Sequence, residues 1–286
     1  MNTYNDMYLS ARRRLRAAGV GAYELEARLI ISHATGKTRE ELISLSRYFI
    51  SDKAVTDAVD DMIKRRLEGE PVAYIVGEWE FYGLPLAVNR AVLIPRCDTE
   101  VLAEEAIRLM KTRTDKTRML DLCTGTGAIG LAVAANVPDC RIVLADSSEQ
   151  ALAVCRANML GNRLSRRVTA IRADALEPPP TLLGVFDAIV SNPPYIPTGE
   201  LVNLDKSVRD FEPVIALDGG SDGLEFYRAI AGNWKTVLKR GGYLMFECGA
   251  GQAAEVRDIM EENGFNRLNT LRDTQDIERV ITGRVK

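Results

Sequence analysis

A short apolar segment, Arg118-Met119-Leu120-Asp121-Leu122, runs directly into Cys123-Thr124-Gly125-Thr126-Gly127-Ala128-Ile129-Gly130, and a helical pattern through Leu131, Ala132, Ala134 and Ala135 follows. Strand, glycine loop and helix in that order constrain the fold more than any other feature, because so tight a turn brings the backbone close to a ligand at a helix N-terminus. Gly125, Gly127 and Gly130 satisfy G-x-G-x-x-G, the fingerprint of a nucleotide-binding βα unit. A second apolar segment, Arg141 to Ala145, ends in Asp146, where a carboxylate can accept hydrogen bonds from both hydroxyls of a ribose. A third, Arg167 to Arg172, delivers Asp174 and Ala175, with Asp174 able to accept from an adenine amino group. These features predict a ribose-bearing cofactor, and nicotinamide, flavin and S-adenosylmethionine all meet that description. Asp121 shifts the balance toward S-adenosylmethionine, because a carboxylate just before the glycines favours cationic sulfonium and ammonium groups over a pyrophosphate.

A fourth apolar segment, Phe186 to Ser191, ends in Asn192-Pro193-Pro194-Tyr195. In the usual doubly wound order the first and fourth strands are neighbours at the topological switch point, so this tetrapeptide should face the glycine loop across one crevice. Asn192 offers a side-chain carbonyl and Pro193 a backbone carbonyl, and the two prolines stiffen the chain that carries them. Two acceptors suit one planar NH2 group, and the Tyr195 ring can lie against the substrate and exclude water. Asn192 to Tyr195 are therefore the candidate catalytic residues.

The rest of the chain supplies the surroundings. Helical spacing from Tyr4 to Ala18 ends at Gly19, and a second helical run carries His33 and stops at Gly36. A third opens with a capping box in which Glu41 reaches back to Thr38, and a fourth ends before Gly69 and Pro71. Four short helices without strand patterning predict a small helical domain over 1–71. Alternation over Val72–Val76 and Glu78–Tyr82, a turn at Gly83 and a return over Leu84–Val88 predict a hairpin linker over 72–96. Asp98 or Thr99 can cap the next helix, and strands and helices alternate from there through 97–286. Two last strands, near Arg267–Leu271 and Arg279–Thr282, predict a terminal antiparallel hairpin. The expected fold class is α/β: a Rossmann-like domain with a mostly parallel sheet, preceded by the helical domain and the hairpin.

Composition removes other classes. The chain has 286 residues and a net charge of −3, so no global positive field favours a phosphate backbone, and the Arg12-Arg13-Arg14 cluster reads as a solvated helix face. No apolar run approaches the roughly 20 residues needed to span a bilayer. Met1 to Asp6 lack a secretory pattern, which makes the cytoplasm the expected compartment. Cys97, Cys123, Cys140, Cys155 and Cys248 are scattered, which predicts mostly buried thiols, no disulfide framework and no metal site. His33 is the single histidine, too few for an imidazole-based triad or a histidine metal centre, and is expected to be structural and partly buried.

Taken together, these motifs resemble those of the class I S-adenosylmethionine-dependent methyltransferases, and among them the protein-(glutamine-N5) methyltransferases of peptide chain release factors. The resemblance rests on the glycine loop, Asn192 to Tyr195, Leu93-Ile94-Pro95-Arg96-Cys97-Asp98-Thr99-Glu100, Phe211-Glu212-Pro213 and Ala216-Leu217-Asp218-Gly219-Gly220. It implies methylation of the glutamine side-chain amide in a Gly-Gly-Gln motif, with release factors as partners, no direct nucleic acid or membrane partner, and a monomer. It also implies a cofactor site of Cys123, Thr124, Gly125, Thr126, Gly127, Asp146, Ala175 and Asn192, to which the residues read above add Asp121 and Asp174, with S-adenosylhomocysteine as product. The helical domain would supply part of the docking surface for the protein substrate. Cys123 stands where the family usually has glycine and Cys97 where it has proline; Cys123 is expected to be tolerated if its backbone needs no positive φ. The tetrapeptide is shared with adenine-N6 DNA methyltransferases and RNA methyltransferases, which form the alternative. A nicotinamide oxidoreductase and a non-enzymatic release-factor-binding module are the remaining rivals.

Overall fold

A computed structural model describes residues 3–113 and 115–286. Met1 and Asn2, read above as the start of a chain without a leader, lie outside the described residues. The chain divides into two units between Glu78 and Trp79, and the segment Asp205–Phe211 belongs with the first.

The first unit holds α1 (Tyr4–Ala17), α2 (Tyr23–Thr35), α3 (Arg39–Ser44), α4 (Lys53–Leu67) and α5 (Val72–Val76). Thr3 and Asp6 form a capping box on α1, and Thr38 and Glu41 form the expected one on α3. Leu15, Ile30, Ile31 and Ile63 are buried where these helices meet. Arg12 and Arg14 pair with Glu24 and Asp60, so the arginine cluster is a salt-bridged surface. His33 is exposed in the last turn of α2, not partly buried, at the end of the helix that favours positive charge. Val72–Val76 is a helix and not the first arm of a hairpin. Pro71 presets its start, Gly77 ends it in the left-handed region, and four of its five residues are buried on all sides, which erases any real alternation.

In the second unit, β1 (Glu78–Phe81) and β2 (Leu84–Ala87) form the hairpin, and seven strands form the main sheet. These are β3 (Thr117–Leu122), β4 (Cys140–Asp146), β5 (Val168–Arg172), β6 (Phe186–Ser191), β7 (Leu238–Glu247), β8 (Phe265–Arg272) and β9 (Glu278–Val285), in the order β5-β4-β3-β6-β7-β9-β8. Strands β3 to β7 are parallel, and β9 runs antiparallel to both β7 and β8. The α/β class and the terminal hairpin expected from the sequence are present. Helices α6 (Glu100–Lys111), α7 (Ala128–Asn136) and α8 (Glu149–Gly161) cover one face, while α10 (Glu225–Asn233) and α11 (Ala253–Glu262) cover the other; α9 (Lys206–Arg209) lies in the first unit. A sheet covered on both faces explains why β3, β4 and β6 read as unbroken apolar runs.

Helix α7 packs against the sheet through Gly130. A Cβ there would lie 2.2 Å from Leu144 Cδ2 and 3.0 Å from both Asp121 Oδ2 and Ile142 Cγ2. No described helix is long and apolar enough to cross a membrane. Gly130→Ala is expected to cost about 1–3 kcal/mol through overpacking, read as a lower urea midpoint; an unchanged midpoint contradicts this packing.

Candidate active site

The parallel pairing of β3 with β6 ends at Leu122 opposite Ser191, so the glycine loop and Asn192 leave adjacent strands at the same edge of the sheet. The Ser191 hydroxyl, fully buried, donates to the Leu122 carbonyl at 2.7 Å and ties the two ends together. A cleft of about 1090 Å³, counting the space at its open mouth, lies over this edge. Of the expected residues, Cys123, Thr124, Gly125, Thr126, Asp146, Asp174, Ala175, Asn192 and Pro194 line it. Asp121, Gly127, Pro193 and Tyr195 are not among its lining residues.

Asp121 also has a local structural duty. It is fully buried, and its Oδ2 accepts from the Thr124 hydroxyl at 2.7 Å and from the Gly130 backbone N–H at 2.9 Å. One carboxylate oxygen thus clamps the glycine loop at both ends, while Oδ1 is buried with no hydrogen-bond partner among the described residues. Burial pushes the Asp121 carboxyl up to about 7, against the opposing pull of those two hydrogen bonds. Asn158 holds the loop from outside, donating to the Thr126 carbonyl at 3.0 Å while its own carbonyl accepts from Ala87 N–H at 2.7 Å. Cys123 has φ 61, in the left-handed region, so the condition for easy replacement of glycine is not met and the loop carries local strain there.

Asp146 faces the cleft as expected. Its Oδ2 accepts from Gly125 N–H and its Oδ1 from Ser148 N–H, each at 2.9 Å, which fixes both oxygens and leaves each able to accept again. Burial raises its pKa, with the same backbone bonds opposing. Asp174 is exposed at the end of β5, and the neighbouring Ala175 carbonyl is held by the buried Trp234 Nε1–H at 3.0 Å. The residues present fit an adenosine-bearing ligand: a bare loop at Gly125 with open space beside it, an anchored carboxylate at the next strand end, and Asp174 at the third.

The tetrapeptide is braced from below. Gln252 donates to the Tyr195 carbonyl at 2.9 Å, Ile196 N–H to Leu217 at 3.0 Å, and Gly219 N–H to Ile196 at 2.9 Å. A Cβ at Gly219 would lie 2.7 Å from Tyr195 Cα and 2.8 Å from the Pro194 carbonyl, so this close approach demands glycine. The Tyr195 phenol is pushed up to about 12, mainly by burial, and stays neutral at ordinary pH. Thr99 precedes α6 but its side chain does not cap it; the hydroxyl accepts from Asn192 Nδ2 at 3.3 Å instead. Glu247 and Gln252 carry no local motif pointing to the site, and only the fold brings them there, whereas Thr99 and Gly219 fall within segments that carry the family resemblance. Among the described residues no group of three or more His, Cys, Asp or Glu is placed to hold a metal ion.

A carboxyl whose pKa is higher in the folded chain than in the unfolded one holds more protons when folded. Its contribution to stability is therefore full in acid and is lost as pH rises from about 4 toward 7. Asp121→Asn is expected to flatten the fall in stability across this window, measured by urea denaturation at a series of pH values. A slope equal to that of the parent protein contradicts the assignment.

Residues 6–77 match the PrmC N-terminal domain and residues 99–205 the methyltransferase small domain. The release factor glutamine methyltransferase of Clostridium acetobutylicum is 37% identical over 276 residues, covering 96% of each chain. That of Geobacter sulfurreducens is 40% identical over 280 residues, covering 96% of this chain and 94% of its own. A solved methyltransferase from Pyrococcus furiosus, 15% identical, superposes with a TM-score of 0.50 over 79% of this chain and 98% of its own, a likeness of fold. Strand order, glycine loop, tetrapeptide and these end-to-end identities lead to one conclusion: the chain belongs to the release factor glutamine methyltransferase family.

Proposed function

We propose that the cleft binds S-adenosylmethionine and that the enzyme methylates the side-chain amide nitrogen of the glutamine in the Gly-Gly-Gln motif of peptide chain release factors. The observation that carries this is the juxtaposition of the glycine loop and Asn192 at the ends of two adjacent parallel strands. When bound, S-adenosylmethionine supplies an electrophilic methyl on sulfur. Thr124 to Gly127 would receive it against bare backbone, Asp146 would accept its ribose hydroxyls and Asp174 its adenine amine.

Asn192 Oδ1 and the Pro193 carbonyl would accept the two N–H bonds of the substrate amide. The amide lone pair is ordinarily delocalised, and two fixed acceptors orient the nitrogen and reduce the cost of drawing that pair out of conjugation. The chain needs no general base before attack, because the proton is lost from a nitrogen that has already gained its methyl. A neutral Tyr195, outside the cleft lining, would brace the tetrapeptide from the interior side. The adenine-N6 reading rests on the tetrapeptide, whereas sequence likeness to the release-factor enzymes runs through 96% of this chain.

Labelled S-adenosylmethionine offered with release factor, DNA and ribosomal RNA side by side is expected to label the release factor alone. Labelled nucleic acid with an unlabelled release factor would overturn the assignment. Asn192→Ala is expected to lose on the order of 10²–10³ in rate, the scale of one preorganised polar contact. Its affinity for S-adenosylmethionine should stay near that of the parent, and near-normal turnover would refute the role. Asp146→Ala is expected to weaken that affinity about 10–100-fold in calorimetry, the loss of a charged hydrogen-bond acceptor, and an unchanged Kd would contradict its placement.

A further inference from the structure

Glu247 closes β7 one residue beyond the Ser191–Phe246 pair, which places it beside Asn192 at the ends of two adjacent parallel strands. It is 3% exposed, and its Oε2 has no hydrogen-bond partner among the described residues. Its backbone is fixed independently of its side chain: the carbonyl accepts from the buried Tyr227 hydroxyl at 2.9 Å, and the residue pairs with Val280 of β9. A buried carboxyl with an orphan oxygen costs stability, and an apolar residue of similar size would fill the same volume without that cost. Packing alone does not account for it.

The groups around it do. Thr99, from the turn before α6, and Asn192 lie close enough to the Glu247 carboxyl for their polar side chains to favour its charged form, and Arg279 of β9 and Asp98 act on it through their charge. Tyr195, Tyr227 and Cys248 are further titratable neighbours. Asn192 Nδ2 also donates to the Thr99 hydroxyl at 3.3 Å. Asn192 and Thr99 line the cleft, while Glu247 lies behind them and is not among its lining residues. The carboxyl therefore lies on the interior side of Asn192, whose Nδ2 is turned to Thr99.

That side matters because a carboxamide has two chemically opposite ends. Turned over, Asn192 would present NH2 to the NH2 of the substrate, a donor meeting a donor, and the acceptor used in the proposed reaction would be lost. We propose that Glu247 is a positioning residue: with Thr99 it captures the NH2 of Asn192 and so keeps Oδ1 turned to the substrate amide. This rests on the function proposed above and adds to it the group that sets the orientation of its acceptor. Burial pushes the Glu247 carboxyl up to about 7, opposed by Thr99, Arg279 and Asn192 and aided by Asp98. Protonation below neutrality then weakens the acceptor and loosens Asn192.

Full-length E247Q and E247L separate this role from packing, since the carboxamide of E247Q can still accept from Asn192 and the side chain of E247L cannot. E247L is expected to lose about 10–100-fold in kcat, the scale of a lost outer hydrogen bond, with KM and S-adenosylmethionine affinity little changed. E247Q should recover most of that turnover in mild alkali and lose the acid limb of the kcat profile near neutrality. The side-chain amide resonances of Asn192 in the ligand-free parent protein, labelled with ¹⁵N, should titrate near neutrality and cease to do so in E247Q. Full turnover in E247L, equal damage in both variants, or an Asn192 amide indifferent to pH and to both substitutions would overturn the role. A parent protein that leaves release factor unlabelled while its Asn192 amide responds as described would refute the proposed substrate and uphold the hold of Glu247 on Asn192.

Discussion

The parallel ladder between β3 and β6 is the constraint from which the site follows. Its last pair, Leu122 with Ser191, fixes how far the glycine loop and the Asn-Pro-Pro-Tyr segment extend beyond the sheet, and the Ser191 hydroxyl bond to Leu122 keeps the two ends from sliding. Because β4 and β7 flank this pair, the carboxylates that end them, Asp146 and Glu247, fall beside the loop and beside Asn192 respectively. The ends of β3, β4, β5 and β6 supply residues that line the cleft, and Glu247 at the end of β7 lies behind them. A crevice at the point where strand order reverses is the general ligand site of open parallel sheets, and the cleft here lies at that point.

Rigidity comes from carboxylates and amides that serve the backbone. Asp121 clamps the glycine loop, Asp146 fixes Gly125 and Ser148, Asn158 holds Thr126, and Gln252 holds Tyr195. Preorganisation of this kind is what methyl transfer to an amide requires, since the nucleophile is weak and alignment is the main source of acceleration, worth up to ~7–11 kcal/mol in well-oriented systems. Arg96 and Ile94 N–H both bind the buried Glu212, so the Leu93–Arg96 segment at the rim of the cleft is fixed by the same device. Buried acids are costly, and in this unit they recur where a loop must hold one shape.

Much of this was legible in the sequence, for physical reasons. The strands β3, β4 and β6 are buried on both faces and announce themselves as apolar runs, and the glycine fingerprint marks a turn that few other residues can make. The position of Asn192 at a strand end followed from topology, which the alternation of strands and helices already implied. Val72–Val76 was misread because a five-residue apolar run carries no decisive period. The charge of Asp121 points to a cationic ligand, but its hold on the Thr124 hydroxyl and Gly130 N–H depends on how the loop folds back and is not visible in the sequence. Thr99 had the look of a helix cap, but its hydroxyl is spent on Asn192, a residue 93 positions away. Glu247 and Gln252 have no signature at all, because their neighbours are set by register between β6, β7 and α11 and not by sequence distance.

In the proposed reaction two carbonyl oxygens face a single NH2 group across the cleft from the glycine loop. A crystal structure with S-adenosylhomocysteine and a Gly-Gly-Gln peptide measures this directly. The account predicts the glutamine nitrogen within hydrogen-bonding distance, about 2.7–3.2 Å, of both Asn192 Oδ1 and the Pro193 carbonyl, with the sulfur over residues 123–127 and in line with it. A glutamine side chain seated elsewhere, or Asn192 presenting its NH2 to the peptide, would contradict it.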